Sequence, residues 1–161
     1  MSLRITRART VDLPDIMRLH AMVQNLHAQI LPNIFRPDWE ISALKDFWLA
    51  KLADRSSIVA IAIMNRRTVG YIWFQVQERT QSDLHQARKR IYIHHIGVEE
   101  GVRRRGLGGD LIKYVEAEAI HLNISTITLD TWASNATAQE FFTSRGYDTM
   151  TIMRAKVLKA P

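Results

Sequence analysis

The sequence of 161 residues contains no cysteine, which excludes disulfide bonds, thiolate metal sites and a cysteine nucleophile. Prolines and glycines are few and scattered, and no repeat, low-complexity tract or linker is visible. The longest wholly apolar run, 58–64, is far too short to cross a bilayer, and the amino terminus lacks a signal-peptide pattern. These absences predict one globular domain over residues 1–161, located in the cytoplasm and without a membrane partner.

Positive charge is in excess, with 22 Lys and Arg residues against 16 Asp and Glu residues and a formal net charge of +6. Such a balance would suit a nucleic acid or another polyanionic partner. The basic clusters at 66–67, 88–90 and 103–105 have no interleaved aromatic residues of the kind that stack on bases. A basic nucleic-acid binder is therefore the least favoured alternative, and no nucleic-acid partner is expected.

Hydrophobic periodicity predicts strands and helices along the whole chain. Strands are predicted at 3–8, 57–64, 68–77, 91–98 and 125–131, with a last strand within 149–158. Helices are predicted at 12–30, 38–52, 107–122 and 135–144. The turn at 65–67 implies an antiparallel hairpin, and the polar segment 79–89 is either a short helix or a loop. The pattern favours a mixed α/β sheet with helices packed on it.

The most informative stretch joins the predicted strand that ends at Val98 to the predicted helix 107–122. It reads, in order, Arg103, Arg104, Arg105, Gly106, Leu107, Gly108 and Gly109. The first amides of a helix lack intrahelical partners and carry the positive end of the helix dipole, so they can bind phosphate oxygens. Glycine allows a ligand close to the main chain, and guanidinium groups donate forked hydrogen bonds. The stretch predicts a diphosphate site, with a basic surface turn that caps the helix as the alternative.

Two common phosphate-binding motifs are excluded here. A dinucleotide fingerprint would need a third glycine where Leu111 stands. A P-loop would need Lys followed by Ser or Thr after the glycines, but Gly108 is followed by Gly109 and Asp110. The predicted diphosphate therefore belongs to another kind of ligand.

Two blocks of the sequence resemble the GNAT superfamily of acyl-coenzyme A dependent N-acyltransferases. Residues 103–108 match its signature Gln/Arg-x-x-Gly-x-Gly/Ala directly after a strand. Residues 128–147 are similar to its later strand, its Asn-x-x-Ala helix and its Gly-aromatic turn. The resemblance, over about residues 91–150, implies a GNAT-like α/β fold. This fold would have a mostly antiparallel sheet of six or seven strands, splayed between the fourth and fifth and flanked by about four helices.

The resemblance implies acetyl-coenzyme A as the acyl donor, and no metal. Its pantetheine arm would contact the main chain of Ile96 and Val98, and its pyrophosphate would bind residues 103–109. Asn135 would reach the donor through its amide, and Phe142 would pack near the thiol end. From the residues alone, Asn135 can equally be a helix cap.

Acyl transfer without cysteine must be direct or use another residue. The acceptor amine has to lose a proton, since a lysine-like amine has a reference pKa of about 10.4. Histidine titrates close to neutrality, and the resemblance places base residues on the strand face that carries positions 92 and 94. His94, with Tyr92 beside it, is therefore the candidate base. The alternative is an ordinary hydrogen-bonded histidine of the sheet.

Strict alternation along the strand 91–98 makes a further prediction. One face should carry Tyr92, His94, Ile96 and Val98, and the other Ile91, Ile93, His95 and Gly97. His94 and His95 are therefore expected on opposite faces.

The expected activity is acetyl transfer to a primary amine, on a small molecule or a peptide, in a ternary complex. One position departs from the family, because many relatives have a tyrosine that can protonate the leaving thiolate where this chain has Phe142. That departure keeps a second hypothesis open, a catalytically silent acyl-coenzyme A sensor. No motif identifies the acceptor or decides between a monomer and a homodimer.

Overall fold

The structure is a computed structural model that describes residues 2–158. The chain groups into two compact units, the first ending at Asp130 and the second beginning at Thr131. Among the described residues, none of the helices combines the length and the apolar character that crossing a membrane requires. The expectation of one domain over residues 1–161 stays a prediction.

The first unit alternates strands and helices in the predicted order. Its strands are β1 (Leu3–Arg7), β2 (Ser57–Met64), β3 (Arg67–Arg79), β4 (Arg88–Val98) and β5 (Ile127–Leu129). Its helices are α1 (Leu13–Ile30), α2 (Ala43–Ala53) and α3 (Leu107–His121). Helix α2 begins later than predicted, with Ser42 as its N-cap, and Asp38 lies in an exposed turn where its carboxylate pairs with Arg36.

The strands form one sheet in the order β1-β2-β3-β4-β5, antiparallel except for the last pair. The predicted hairpin joins β2 to β3 through Asn65 and Arg66, whose φ angles of 50° and 65° suit a tight two-residue turn. Strand β4 pairs with β5 only where 91–93 meets 127–129, and then continues without it. This is the splay between the fourth and fifth strands that the resemblance implies.

The sheet in the described residues has five strands, fewer than the predicted six or seven. Residues 149–158, where a last strand was predicted, form none. Their apolar side chains are largely exposed, with Met153 at 95% and Val157 at 94%. An alternating pattern favours a strand when one face becomes buried against a partner, and these side chains are not buried. The mixed α/β architecture is otherwise as predicted.

Helices cover both faces of the sheet. Helices α1 and α2 pack on one face in a buried cluster of Leu13, Ile16, Leu19, Trp48, Val59, Ile61, Tyr71 and Trp73. Helix α3 covers the other face, where a Cβ at Gly70 would lie 3.4 Å from Leu111 and 3.5 Å from Leu107. The carboxyl-terminal half of β4 therefore lies between α1 and α3.

Gly97 of β4 allows α1 and the sheet to come into close contact. A Cβ at Gly97 would lie 2.6 Å from Cε1 of Tyr71 and 3.0 Å from Cγ2 of Val23. Because Tyr71 is fully buried and cannot move aside, we expect Gly97→Ala to lower the unfolding free energy by about 1–3 kcal/mol, as overpacking usually does. Urea denaturation measures the loss. Gly101→Ala is the matched control, since nothing lies within 4 Å of its Cβ, and equal losses in the two variants would contradict the packing argument.

Candidate functional site

A β-bulge in β4 changes the direction of its side chains at the two histidines. The register pairs Trp73 with His95 but Phe74 with Ile93, which leaves His94 as the extra residue. His95 shares the face of its partner Trp73, and the ring of His94 also stacks on Trp73 with 4.1 Å between centroids. Both histidines thus lie on the face covered by α1 and α2. The prediction that they occupy opposite faces is wrong, because alternation holds only in a ladder without a bulge.

The same bulge moves two other side chains. Ile96 pairs with Ile72 and Val98 pairs with Gly70, which places both side chains on the α3 face. Tyr92 pairs with Gln75 and stays on the α1–α2 face. The predicted grouping of Tyr92, Ile96 and Val98 on one face is therefore also wrong.

Within the described part of the chain, the main chain of β4 after the bulge pairs with no strand on the β5 side. The amide of Glu99 donates to the carbonyl of Val69 at 2.8 Å, so these two residues are a hydrogen-bonded pair of the antiparallel ladder. Because such pairs alternate with non-bonded ones, Ile96 and Val98 direct their N–H and C=O groups away from β3. They face the side on which β5 has already separated. This strand edge can accept an extended ligand.

His94 is half-buried between two aromatic rings. Trp73 stacks on it, and Tyr92 makes an edge contact with 4.6 Å between centroids. Its Nε2 lies 2.6 Å from Oε1 of Gln75. Burial, and then the ammonium group of Lys51, lower the pKa of His94 below its ordinary value of 6.5. The imidazole is therefore neutral at pH 7 and can accept a proton.

Tyr92 connects the two strands near the point where they separate. Its hydroxyl donates a hydrogen bond to the carboxylate of Asp130, the residue after β5. Burial and the contact with Asp130 raise the pKa of Tyr92 to about 12. Tyr92 therefore keeps its proton at neutral pH and can serve as a donor but not as a base.

The second histidine, His95, interacts mainly with the protein itself. Its Nδ1 is hydrogen-bonded to the hydroxyl of Tyr71, and its ring stacks on His20 with 4.4 Å between centroids. Burial lowers the pKa of His20 to about 4 and that of His95 well below 6.5. These rings are neutral packing elements. Within residues 2–158, no three side chains of the metal-binding types lie where they could hold one metal ion.

The mostly buried carboxylate of Glu99 anchors the chain where β4 ends. It pairs with Arg18 of α1 at 2.8 Å and with Arg67 of β3 at 2.5 Å. Arg18 also donates to the carbonyl of Thr68 at 2.7 Å. The loop 99–106, the phosphate loop, which the sequence predicts to bind a diphosphate, is thereby fixed at its start to both a helix and the sheet. Sequence reasoning missed this anchor, since nothing in the sequence distinguishes Glu99 from a surface charge.

Helix α3 starts without a side-chain cap. Gly106 is its N-cap, in the left-handed conformation with φ at 84°, which favours glycine. The amide of Asp110 donates to the carbonyl of Gly106 at 3.1 Å, as the helix requires. The amides of Leu107, Gly108 and Gly109 come before that bond and need partners from outside the helix. Their arrangement is the one that favours an anion.

The three arginines of the phosphate loop have different roles. Arg103 donates from Nε to the carbonyl of Val98 at 3.0 Å, which fastens the loop to the end of β4. Arg104 has a left-handed backbone with φ at 62°. The side chains of Arg104 and Arg105 are exposed. Their guanidinium groups are therefore accessible to solvent and to an anion.

The second unit contains helix α4 (Ala136–Thr143) and two predicted site residues. Asn135 caps α4, since its Oδ1 accepts a hydrogen bond from the amide of Ala138 at 3.2 Å. Phe142 is buried, with ring centroids 5.1 Å from Phe141 and 5.5 Å from Tyr147. The cap that was an alternative role of Asn135 is therefore formed, through the oxygen of its amide.

Three polar residues near His94 belong to no motif: Lys51, Asp54 and Gln75. Gln75 could have been found as the cross-strand neighbour of Tyr92 once strands 68–77 and 91–98 were paired. The exact pairing depends on the bulge, however, and no residue type announces it. Lys51 and Asp54 come from α2 and its end, so only folding brings them to the strand.

Comparison with known proteins adds the family. The sequence matches the acetyltransferase (GNAT) family over residues 16–147, a range that includes β4, the phosphate loop and α4. No curated protein matches the chain.

Solved structures share the fold at low sequence identity. The tetramutant of BH1408 from Bacillus halodurans is 23% identical and superposes with a TM-score of 0.88, over 96% of this chain and 99% of that one. Aminoglycoside 6'-N-acetyltransferase AAC(6')-Ih from Acinetobacter baumannii is 14% identical with a TM-score of 0.75, over 99% of this chain and 100% of that one. Aminoglycoside N-acetyltransferase AAC(6')-Iy, solved in complex with CoA, has the same identity and TM-score, over 99% and 96%. Since the family match spans most of the sequence, the chain belongs to the GNAT family of acetyltransferases.

Proposed function

We propose that the protein is an N-acetyltransferase that transfers the acetyl group of acetyl-coenzyme A directly to a primary amine in a ternary complex. The observation that carries the proposal is the open edge of β4, with neutral His94 at one end and the uncapped start of α3 beyond the other. About 13 Å of strand separate His94 from Val98, at about 3.3 Å per residue. Family membership supports the acetyl chemistry. The aminoglycoside acetyltransferases among the similar structures support a small-molecule acceptor, and a peptide amine is the other candidate.

The open edge suits the donor. The amide groups of a pantetheine arm can pair with Ile96 and Val98 as a short additional strand. Val98 can still take part although its carbonyl accepts from Arg103, because a carbonyl oxygen has two lone pairs. The amides of residues 107–109, with Arg104 and Arg105, supply donors and charge for the diphosphate. When bound, the thioester supplies an activated acetyl group.

The acceptor amine must be neutral when it attacks. For a lysine-like amine at pH 7.4 this costs about 4 kcal/mol, from its reference pKa of about 10.4. The ammonium form of the acceptor gives its first proton to water. The neutral nitrogen then bonds to the carbonyl carbon, and we assign its second proton to the neutral imidazole of His94. The carbon–sulfur bond breaks, and coenzyme A leaves as a thiolate. A thiolate is a weak enough base to leave with little assistance, which agrees with Phe142 in place of a tyrosine.

We propose that residues 1–161 form one catalytic domain. The family match over residues 16–147 supports this, because it includes parts of both units. Asn135 and Phe142 are assigned to the donor by their positions in the family pattern.

A non-catalytic acyl-coenzyme A sensor is the second candidate, and Phe142 is the observation that favours it. Its ring lacks a hydroxyl, so it cannot protonate a leaving thiolate. A sensor would bind the thioester without transferring the acetyl group. Turnover assays with a broad panel of amines separate the two functions, since saturable binding without any product would favour the sensor.

The phosphate loop can be tested by calorimetry. We expect Gly106→Val combined with Gly108→Val to weaken acetyl-coenzyme A binding at least about 100-fold, because two charge-assisted hydrogen bonds of about 1.5 kcal/mol each would be lost. Gly146→Val is the matched control, since Gly146 also has a left-handed backbone, with φ at 82° against 84° at Gly106. Unchanged affinity in the double variant would contradict the assignment.

The base can be tested by the pH dependence of turnover. A base must be unprotonated to act, so kcat of the unaltered protein should fall as the pH drops through the lowered pKa of His94, below 6.5. We expect His94→Gln to lower kcat by about 10²- to 10⁴-fold, the usual contribution of proton transfer, with little change in affinity for the donor. His121→Gln, at an exposed position of α3, is the control. If His94→Gln kept the full rate, another group would have to be the base.

A further inference from the structure

We infer that Gln75 is a positioning residue that keeps the proton of neutral His94 on Nε2, so that Nδ1 is the nitrogen that takes the proton from the amine. The inference rests on the proposed role of His94 as the base. The contact that suggests it is the 2.6 Å separation between Oε1 of Gln75 and Nε2 of His94. A glutamine amide can donate or accept, so its orientation has to be decided by its other end.

The other end of Gln75 faces a carboxylate. Its amide nitrogen donates to Oδ2 of Asp54 at 3.1 Å and approaches Oγ of Ser56 at 3.4 Å. An ionised carboxylate only accepts hydrogen bonds. The reverse orientation would set the amide oxygen against the carboxylate oxygen, so the oxygen of Gln75 must face His94.

Asp54 is itself held in place. Its Oδ1 accepts from both the amide and the hydroxyl of Ser56, each at 2.8 Å. These bonds lower the pKa of Asp54, so the carboxylate is ionised at neutral pH. The next residue, Ser57, pairs with Gln75 across β2 and β3. The short turn 54–56 thus brings the end of α2 into register with the strand that carries Gln75.

The arrangement determines which nitrogen of His94 is free. Because Oε1 of Gln75 can only accept, Nε2 of His94 must carry the hydrogen and Nδ1 must carry the lone pair. Within residues 2–158, the contact of Nε2 with Gln75 is the only hydrogen bond of the His94 ring, so Nδ1 is not bonded to the protein. Stacking on Trp73 limits rotation of the ring.

One proton moves from the amine to His94 and then to solvent. Nδ1 takes the proton from the attacking amine, the hydrogen on Nε2 stays bonded to Gln75, and the ring becomes an imidazolium. The Lys51 ammonium, which disfavours that cation, promotes release of the proton to solvent afterwards.

Nuclear magnetic resonance can identify the tautomer in the full chain. Long-range ¹H–¹⁵N correlation spectra of the protein labelled at its histidines should show a protonated Nε2 and an unprotonated Nδ1 for His94, whose signals are those missing in His94→Gln. We expect the Nε2 proton to be protected from exchange with water. Gln75→Leu should abolish that protection, and Asp54→Asn should reduce it.

The turnover rate should depend on whether residue 75 offers a hydrogen-bond acceptor to His94. We expect Gln75→Leu to lower kcat at least about tenfold with little change in KM for the donor, since residues that orient a functional histidine typically contribute that much. Gln75→Glu combined with Asp54→Asn keeps an acceptor for Nε2 and a donor–acceptor pair between positions 75 and 54, and it should retain most of the rate. Because the negative charge moves from position 54 to position 75, next to the imidazole, it should raise the pKa of His94 and shift the acidic limb of the pH profile to higher pH, which a merely structural role would not do. Gln77→Leu is the matched control, because Gln77 lies on the same strand but accepts from Arg90.

The outcomes separate this inference from the proposed function. A hydrogen on Nδ1 in an active protein, or a Gln75→Leu variant with unchanged exchange protection, kcat and pH profile, would overturn the positioning role alone. If the unaltered protein acetylated no amine, the proposed function and the positioning role would both be overturned, whichever nitrogen carried the hydrogen. Loss of protection together with loss of kcat in Gln75→Leu, with retention of both in Gln75→Glu combined with Asp54→Asn, would support the inference.

Discussion

The candidate site depends on one constraint, the early separation of β5 from β4. After Ile93 the strand β4 continues to Val98 with no partner strand on its β5 side among residues 2–158. Half-buried main-chain groups that have no neighbouring strand need other hydrogen-bond partners, because an unsatisfied amide or carbonyl is costly away from water. One of them, the carbonyl of Val98, is bonded to Arg103. An extended ligand with amide groups is the natural partner for the others, which links the topology of the sheet to the proposed donor.

The bulge at His94 adds the chemistry to this edge. Because of the bulge, the imidazole of His94 lies on the α1–α2 face, while Ile96 and Val98 turn their main-chain groups toward the space that β5 leaves. A few consecutive residues thus supply both the imidazole and the strand edge. Three side chains from β3 and α2 then set the state of the ring: Trp73 stacks on it, Gln75 contacts its Nε2, and Lys51 with burial keeps it neutral. A base prepared in this way can receive a proton and release it again. Directly after β4, Glu99 fixes the chain through its ion pairs with Arg18 and Arg67. The same ion pairs therefore hold the end of the strand edge and the loop that leads to α3.

Much of the fold could be predicted because its signals are local. The helix 107–122 and the hairpin at 65–67 follow from periodicity and turn chemistry, and both agree closely with α3 and with the β2–β3 turn. The segment 149–158 was predicted wrongly because an alternating pattern says only that a strand could form. Whether it does depends on a partner that buries one of its faces, and that is not a local property.

The sequence by itself determined the family signature and the uncapped start of α3, because glycine and arginine act through their own backbone freedom and charge. It also determined that no cysteine chemistry is available. Tertiary structure decided on which face His94 lies, since a single extra residue in the ladder reverses every side chain beyond it. Tertiary structure also brought Asp54 from the end of α2 to Gln75 of β3, because hydrogen bonds between residues far apart in the chain form only when their elements pack.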